Sequence, residues 1–307
     1  MRKKRFLRMV SIVFLSFLLP SCVTDQAQAE EFFAIGMAFF DLGRFAEAET
    51  WLLRARNADR TMVASEYNLG RIAFETGRFQ EAAEQFERIL RRDPYNVMVL
   101  RAAAYSRINN GDLEIAADLY QRVMALVPES ADGGFNYALV LYALGRHDES
   151  EAALNRHPHS LETSPPSLLL MARVKRAQER IEAVDAYDAW LAAVYPDRPS
   201  PQGVFEFALT LEAAGFYFRA IEQLEAAMEH LEMDTPTLQR RMLRFERARI
   251  LLVADPENEE GMAELSASIT DGFNDTDAIQ AVLLDDRLTS AAAAAIREIL
   301  DGMQEGT

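Results

Sequence analysis

From residue 32 almost to the C-terminus, apolar residues recur three or four positions apart, and no stretch alternates apolar with polar for long enough to make a strand. That period predicts an all-α chain of amphipathic helices. Gly43, Gly77, Gly111 and Gly145 interrupt it at even spacing, while Pro94 and Pro128 close second stretches, so the helices are expected as hairpins. The first residues follow a different rule. MRKKRFLR holds Arg2, Lys3, Lys4, Arg5 and Arg8 and no acid, and the run from Met9 to Pro20 is overwhelmingly apolar. A membrane-spanning helix needs roughly 20 such residues, whereas about a dozen behind a basic head reads as an export signal. Residues 1–21 are therefore expected to be a signal peptide and 22–31 a linker.

The hairpins repeat. In VASEYNLGRIAFETGRFQEAAEQFERILRRDPYN, residues 63–96, each punctuating residue has a mechanical task. Gly70 lets a second helix approach, Gly77 ends the first helix by accepting positive φ, Ala82 fits a helix crossing, Phe79 and Phe86 fill the space between layers, and Pro94 stops the second helix. The same tasks return at 29–62 (Gly36, Phe39, Gly43, Phe45, Ala48, Leu52), at 97–130 (Ala103, Ala104, Gly111, Ala116, Tyr120, Pro128) and from 131 (Tyr137, Ala138, Gly145, Leu154). RHPHSLETSPPS then shortens a helix through Pro158, Pro165 and Pro166. A fifth unit has Leu170, Val174, Ala183, Tyr187 and Pro196, with Gln178 expected in the place of the turn glycine. A sixth has Phe207, Ala208, Gly215, Ala220, Leu224 and Ala227. Thr235-Pro236 reads as a helix start, with helices expected near 236–254, 257–271, 276–285 and 290–303, the last with Ile296, Ile299, Leu300 and Met303 on one face.

These residues and spacings resemble the tetratricopeptide repeat, a helix–turn–helix unit of about 34 residues. The resemblance implies a right-handed α-solenoid, with about six repeats over 32–235 and a degenerate repeat plus C-terminal capping helices over 236–307. It further implies a concave groove lined by the first helix of each pair. At the family's groove positions stand Phe33, Met37, Phe40, Tyr67, Arg71, Phe74, Met98, Arg101, Tyr105, Asn109, Phe135, Leu139 and Tyr142, then Lys175, Arg176, Phe205 and Leu209. Rings and guanidinium groups together are anchors for a protein or peptide partner; the alternative is that they pack on neighbouring repeats and pair with residues such as Glu66 and Glu75. Asn68 and Asn136 are placed to bond a peptide backbone. The lysine-rich clamp of some family members for acidic C-termini is not reproduced.

Charge narrows the partner. The formal net charge is −16, from 32 basic and 48 acidic side chains, and residues 1–21 hold five of the basic groups and no acid. An acidic body opposes nucleic acid, whose binding depends on phosphate neutralisation. One local exception is RRMLRFERAR, where Arg240, Arg244 and Arg247 recur at helical spacing as a candidate basic stripe, unless glutamates such as Glu229, Glu232 and Glu246 neutralise it.

Cys22 is the sole cysteine, which excludes an internal disulfide. Leu19, Ser21 and Cys22 resemble the lipobox of bacterial lipoproteins, in which the cysteine is lipid-modified after cleavage; Pro20 departs from that pattern. The rival cut is after Ala27-Gln28-Ala29, which would discard Cys22 and free the protein into the periplasm. His147, His157 and His159 lack a metal-ligand spacing, and no nucleophile–base set or phosphate-binding loop appears. The chain is expected to be a non-enzymatic scaffold in the bacterial cell envelope, without cofactor or metal, touching the membrane only through its N-terminal lipid. A carrier of a small hydrophobic ligand and a homo-oligomeric structural protein are the alternatives.

Overall fold

The computed structural model describes residues 20–298 apart from 196, 198, 230–236, 274, 285–288, 291–292 and 295. It divides into two compact units, residues 1–157 and 158–307. Every described element is helical.

The N-terminal unit comprises α1 (Pro20–Asp41), α2 (Phe45–Ala58), α3 (Val63–Glu75), α4 (Phe79–Leu90), α5 (Val97–Asn110), α6 (Leu113–Leu126), α7 (Ala131–Ala143) and α8 (His147–Asn155). Each helix packs on its sequence neighbours, so the hairpins stack in chain order, as in an α-solenoid. Gly43, Gly77, Gly111 and Gly145 turn the chain with φ of +70°, +75°, +87° and +73°. After each, the next amide closes a six-residue loop onto the first helix, as from Arg44 N to Phe39 O at 2.9 Å and from Arg78 N to Ala73 O at 2.8 Å. This is the left-handed helix stop that glycine permits without steric cost. Gly70 serves close approach: a Cβ there would lie 2.8 Å from the Phe86 ring. Ala48, Leu52, Leu69 and Ile72 form one buried cluster and Phe86, Leu100, Ala103, Tyr120 and Val140 belong to another.

The span expected as a linker, 22–31, lies inside α1, and Ala29 is fully buried. CVTDQAQAEE contains no glycine or proline, so nothing stops the helix that starts at Pro20. Residues 1–19 and the side chain of Cys22 lie outside the described residues.

The C-terminal unit comprises α9 (Ser160–Thr163), α10 (Pro165–Ala177), α11 (Ala183–Val194), α12 (Pro201–Ala213), α13 (Tyr217–Glu229), α14 (Thr237–Ala254), α15 (Glu259–Thr270) and α16 (Thr276–Leu283). Its core holds Tyr187, Trp190, Phe207, Leu211 and Leu224, with Tyr187 stacked on Phe207 at 5.3 Å. A second cluster stacks Phe245 on Phe273 at 4.2 Å beside Leu252, Leu265, Ile269 and Ile296. Gly203 is glycine because the Trp190 ring would meet a Cβ at 2.4 Å. The positive-φ turn between α10 and α11 falls on Glu179, at φ +56°, and not on Gln178. Counting 34 residues from Gly145 reaches Glu179, so the period held where the glycine was lost. Pro196, Thr235-Pro236, Ile299, Leu300 and Met303 lie outside the described residues.

Candidate functional site

The first helices of the N-terminal hairpins, α1, α3, α5 and α7, carry the residues expected in the groove, and those residues link one hairpin to the next. The Arg71 guanidinium of α3 lies 4.4 Å over the Phe40 ring of α1 and donates from Nη1 to Asn68 Oδ1 at 2.9 Å. Phe74 of α3 packs against Tyr105 of α5 at 5.1 Å and against Phe79 at 5.2 Å. Arg101 of α5 donates from Nη2 to Ser130 Oγ at 2.6 Å, and Ser130 in turn caps α7. Tyr67 rests on Phe86 at 5.4 Å, Phe40 on Phe45 at 5.5 Å, and Tyr142 on His147 at 5.4 Å.

Packing and presentation are therefore divided among these side chains. Phe40, Tyr67, Arg71, Phe74, Arg101, Phe135 and Tyr142 are half-buried. Met98 at 56%, Tyr105 at 53% and Leu139 at 39% exposure keep apolar surface in water, and Asn109 is exposed beside them. Asn109 donates to the Tyr105 carbonyl within its own helix at 2.8 Å. Asn68 is likewise committed inward, donating to Ala64 O at 2.9 Å, and is 7% exposed.

Electrostatics set two of these residues apart. Many of the described arginines are matched with carboxylates, as Arg78 with Glu49 and Glu81, Arg92 with Glu66, Arg107 with Glu87 and Asp112, Arg173 with Glu206, and Arg219 with Asp188, while Arg122 and Arg241 donate to backbone carbonyls. Arg71 and Arg101 have neutral partners instead, and Arg101 Nε is buried without an acceptor. Glu66, a partner expected for them, is taken by Arg92. Behind Arg101, burial pushes the Tyr120 phenol up to about 12, against the pull of the Arg101 charge, so it stays a neutral wall.

The groove positions of the C-terminal unit fall partly on a cavity. Arg176 and Leu209 line a space of about 500 Å³ with Glu179, Arg180, Ile181 and Val184, while Phe205 packs against the core.

The basic stripe does not form. Arg247 is 8% exposed and is held by Glu225 Oε1 at 2.6 Å, Glu260 Oε1 at 2.8 Å and Glu264 Oε2 at 2.5 Å, and these carboxylates raise its pKa over the opposing effect of burial. Arg244 faces Asp271 at 3.5 Å and Arg240 is half-buried. The alternative weighed from the sequence, neutralisation by glutamates, is what occurs at Arg247, through Glu225 of α13 and Glu260 and Glu264 of α15 in place of the glutamates named there. A second cluster, which the sequence reading missed, sets Arg249 between Glu212 at 2.5 Å and Glu246 at 2.8 Å.

Of the histidines, His147 packs on Tyr142, His157 lies where a Cβ at Gly134 would be 2.4 Å from its ring, and His159 faces Glu162 at 3.5 Å. No group of three or more metal-ligating side chains comes together among the described residues. None of the described helices is long and apolar enough to cross a membrane.

Residues 33–97 and 101–165 match the family described as tetratricopeptide repeat. A crystal structure of a tetratricopeptide repeat protein from Parabacteroides merdae is similar at TM-score 0.62 and 20% identity, covering 83% of this chain and 98% of that one. PilW, described as a widely conserved type IV pilus biogenesis factor, is similar at TM-score 0.56 and 20% identity over 72% of this chain and 98% of its own. PilF of Pseudomonas aeruginosa is similar at TM-score 0.55 and 15% identity over 73% and 99%. No curated protein matches the sequence. The matched repeats, the glycine turns that recur through them and the stacked hairpins converge: residues 33–97 and 101–165 are tetratricopeptide repeats, and the chain shares the fold of solved tetratricopeptide repeat proteins.

Proposed function

We propose that the chain is an exported scaffold, held to a membrane of the bacterial cell envelope by lipid on Cys22, which takes a segment of another envelope protein on the first-helix face of its N-terminal unit. Proteins of this repeat family serve in general as protein-binding scaffolds and not as catalysts. The observation that carries the reading is the pair Arg71 and Arg101, half-buried and without a carboxylate in a chain rich in acids, beside the exposed Met98, Tyr105 and Leu139. A half-buried guanidinium gains most from a charged acceptor, and exposed rings beside it supply the apolar area on which binding energy concentrates. The fitting partner segment has apolar side chains and at least one carboxylate.

Capture from membranes should lose the partner when Arg71→Ala, Arg101→Ala and Tyr105→Ala are combined, with the helical circular dichroism retained. Undiminished recovery by a folded variant removes this face from consideration.

The anchor is supported by the basic head, the short apolar run and the single cysteine behind it. Burial of Ala29 in α1 also favours cleavage before Cys22, since a cut after Ala29 would strip a core residue from its contacts. Metabolic labelling with a palmitate analogue should mark the native chain and leave Cys22→Ala unmarked; equal labelling of both ends the lipid reading.

A further inference from the structure

The turn between α10 and α11 departs from the others in one respect. Gly43, Gly77, Gly111, Gly145 and Gly215 hold the positive φ after the first helix of their hairpins, and Glu179 holds it here, the one non-glycine residue with positive φ among the described residues. A Cβ is disfavoured in that conformation and glycine is not. Strain of this kind persists at sites where a side chain is needed in a fixed place. Glu179 stands on the wall of the cavity of about 500 Å³ within the C-terminal unit, which Ile181, Val184 and Leu209 line as well. That volume lies inside the roughly 300–1,000 Å³ typical of ligand clefts.

Charge decides what the cavity takes. Its two arginines already have partners. The Arg176 charge acts on the Tyr187 hydroxyl and on Glu206, and Arg180 lies 3.6 Å from Glu182 and 3.5 Å from Gln178. The Glu179 carboxylate is exposed and makes no hydrogen bond or ion pair with the described residues. An unmatched anion beside an aliphatic wall, on a chain of net charge −16, complements an amphipathic cation.

We propose that this cavity receives an arginine or lysine side chain of a partner polypeptide, the methylene stem lying on Ile181, Val184 and Leu209 and the cationic head on the Glu179 carboxylate. Arginine fits better than lysine, because its planar fork meets a carboxylate with two parallel bonds. The site draws on none of the residues assigned to the face of the N-terminal unit, and its fate does not depend on that reading.

The full soluble chain is titrated by NMR to millimolar concentrations with acetyl-Leu-Arg-Leu-amide and with its glutamine and glutamate counterparts. The arginine peptide should bind about tenfold more tightly than the glutamine peptide, a difference of about 1.4 kcal/mol, with saturable shifts at the amides of 179–184. Glu179→Gln keeps the backbone strain and removes the charge, so it should erase the preference at unchanged Tm. Glu179→Gly should erase it while raising Tm, which separates the loss of a ligand contact from a failure to fold. Equal binding of the arginine and glutamine peptides, absence of saturable shifts with the arginine peptide, or a preference that survives in Glu179→Gln overturns the proposal.

Discussion

Gly70 and Gly77 stand seven residues apart and are glycines for unrelated reasons. At Gly70 the backbone is helical and the missing Cβ makes room for Phe86; at Gly77 nothing lies within 4 Å and the missing Cβ permits φ of +75°. Gly70→Ala therefore forces the Phe86 ring aside, at about 1–3 kcal/mol, whereas Gly77→Ala suffers a backbone cost of about 1–2 kcal/mol, partly offset by the stiffer unfolded chain. Urea unfolding of each variant in a Phe86→Leu background separates them: the smaller side chain should relieve Gly70→Ala and leave the cost of Gly77→Ala unchanged. Equal relief of both would mean that one cause acts at both sites. Glu179 is the converse case. Glu179→Gly should stabilise the chain by up to about 1 kcal/mol, the strain released less the entropy glycine adds to the unfolded state, and an unchanged or lower Tm would show that the turn stores no strain. Gly77 was legible in the sequence because glycine advertises positive φ. Glu179 was not, since the same conformation in a glutamate leaves no mark beyond the count from Gly145, and the reading settled one residue early on Gln178.

Helix α14 shows why an element can be read correctly while the chemistry of its face is not. Its arginines recur at helical spacing, but what they meet is supplied by α12, α13 and α15, whose alignment with α14 depends on packing and not on local sequence. Around Arg249 one cation serves two carboxylates, Glu212 and Glu246. Burial, with Glu212 and Asp275 nearby, raises the Glu246 pKa above its ordinary 4.5 despite the Arg249 contact. A carboxyl group raised in the folded state binds its proton more tightly there than in the unfolded chain. The stability this contributes is complete below pH 4.5 and lost as pH rises through the folded value. Glu246→Gln removes that titration and can still accept from Arg249 through its amide oxygen, so its unfolding free energy should fall less than that of the native chain between pH 4.5 and 7. Parallel pH profiles would assign the slope to other groups. Around Arg247 the outcome differs, because three carboxylates share the cation. Arg247→Met should cost about 2 kcal/mol, below the 3–5 typical of a fully buried pair, since Glu225 and Glu260 remain partly solvated at 44% and 61% exposure. It should do so without changing partner capture, which separates a structural cluster from the interface that the sequence pattern suggested.

At the scale of the molecule, the repeat was the most legible feature and the use of its surface the least. A period of 34 survives substitution because each hairpin needs the same stop, crossing and filler. Whether Phe74 faces a partner or Tyr105 depends on how neighbouring hairpins meet, and the structure makes Phe74 part of the stack and leaves Tyr105 half in water. The same nearest-neighbour logic bears on folding. The clusters around Leu52 and Phe86 draw only on residues before 157, and those around Tyr187 and Phe245 only on residues after 158. In stacked repeats stability is approximately a sum of local terms, so a chain cut between His157 and Pro158 keeps each of these clusters whole. Fragments 20–157 and 158–298, expressed separately, should each show helical circular dichroism and a cooperative thermal transition. Cooperative melting of the first fragment alone would place the dominant nucleus in the regular repeats. If neither fragment folds while the intact chain does, the clusters are not independent cores, and the units are divisions of geometry without being divisions of stability.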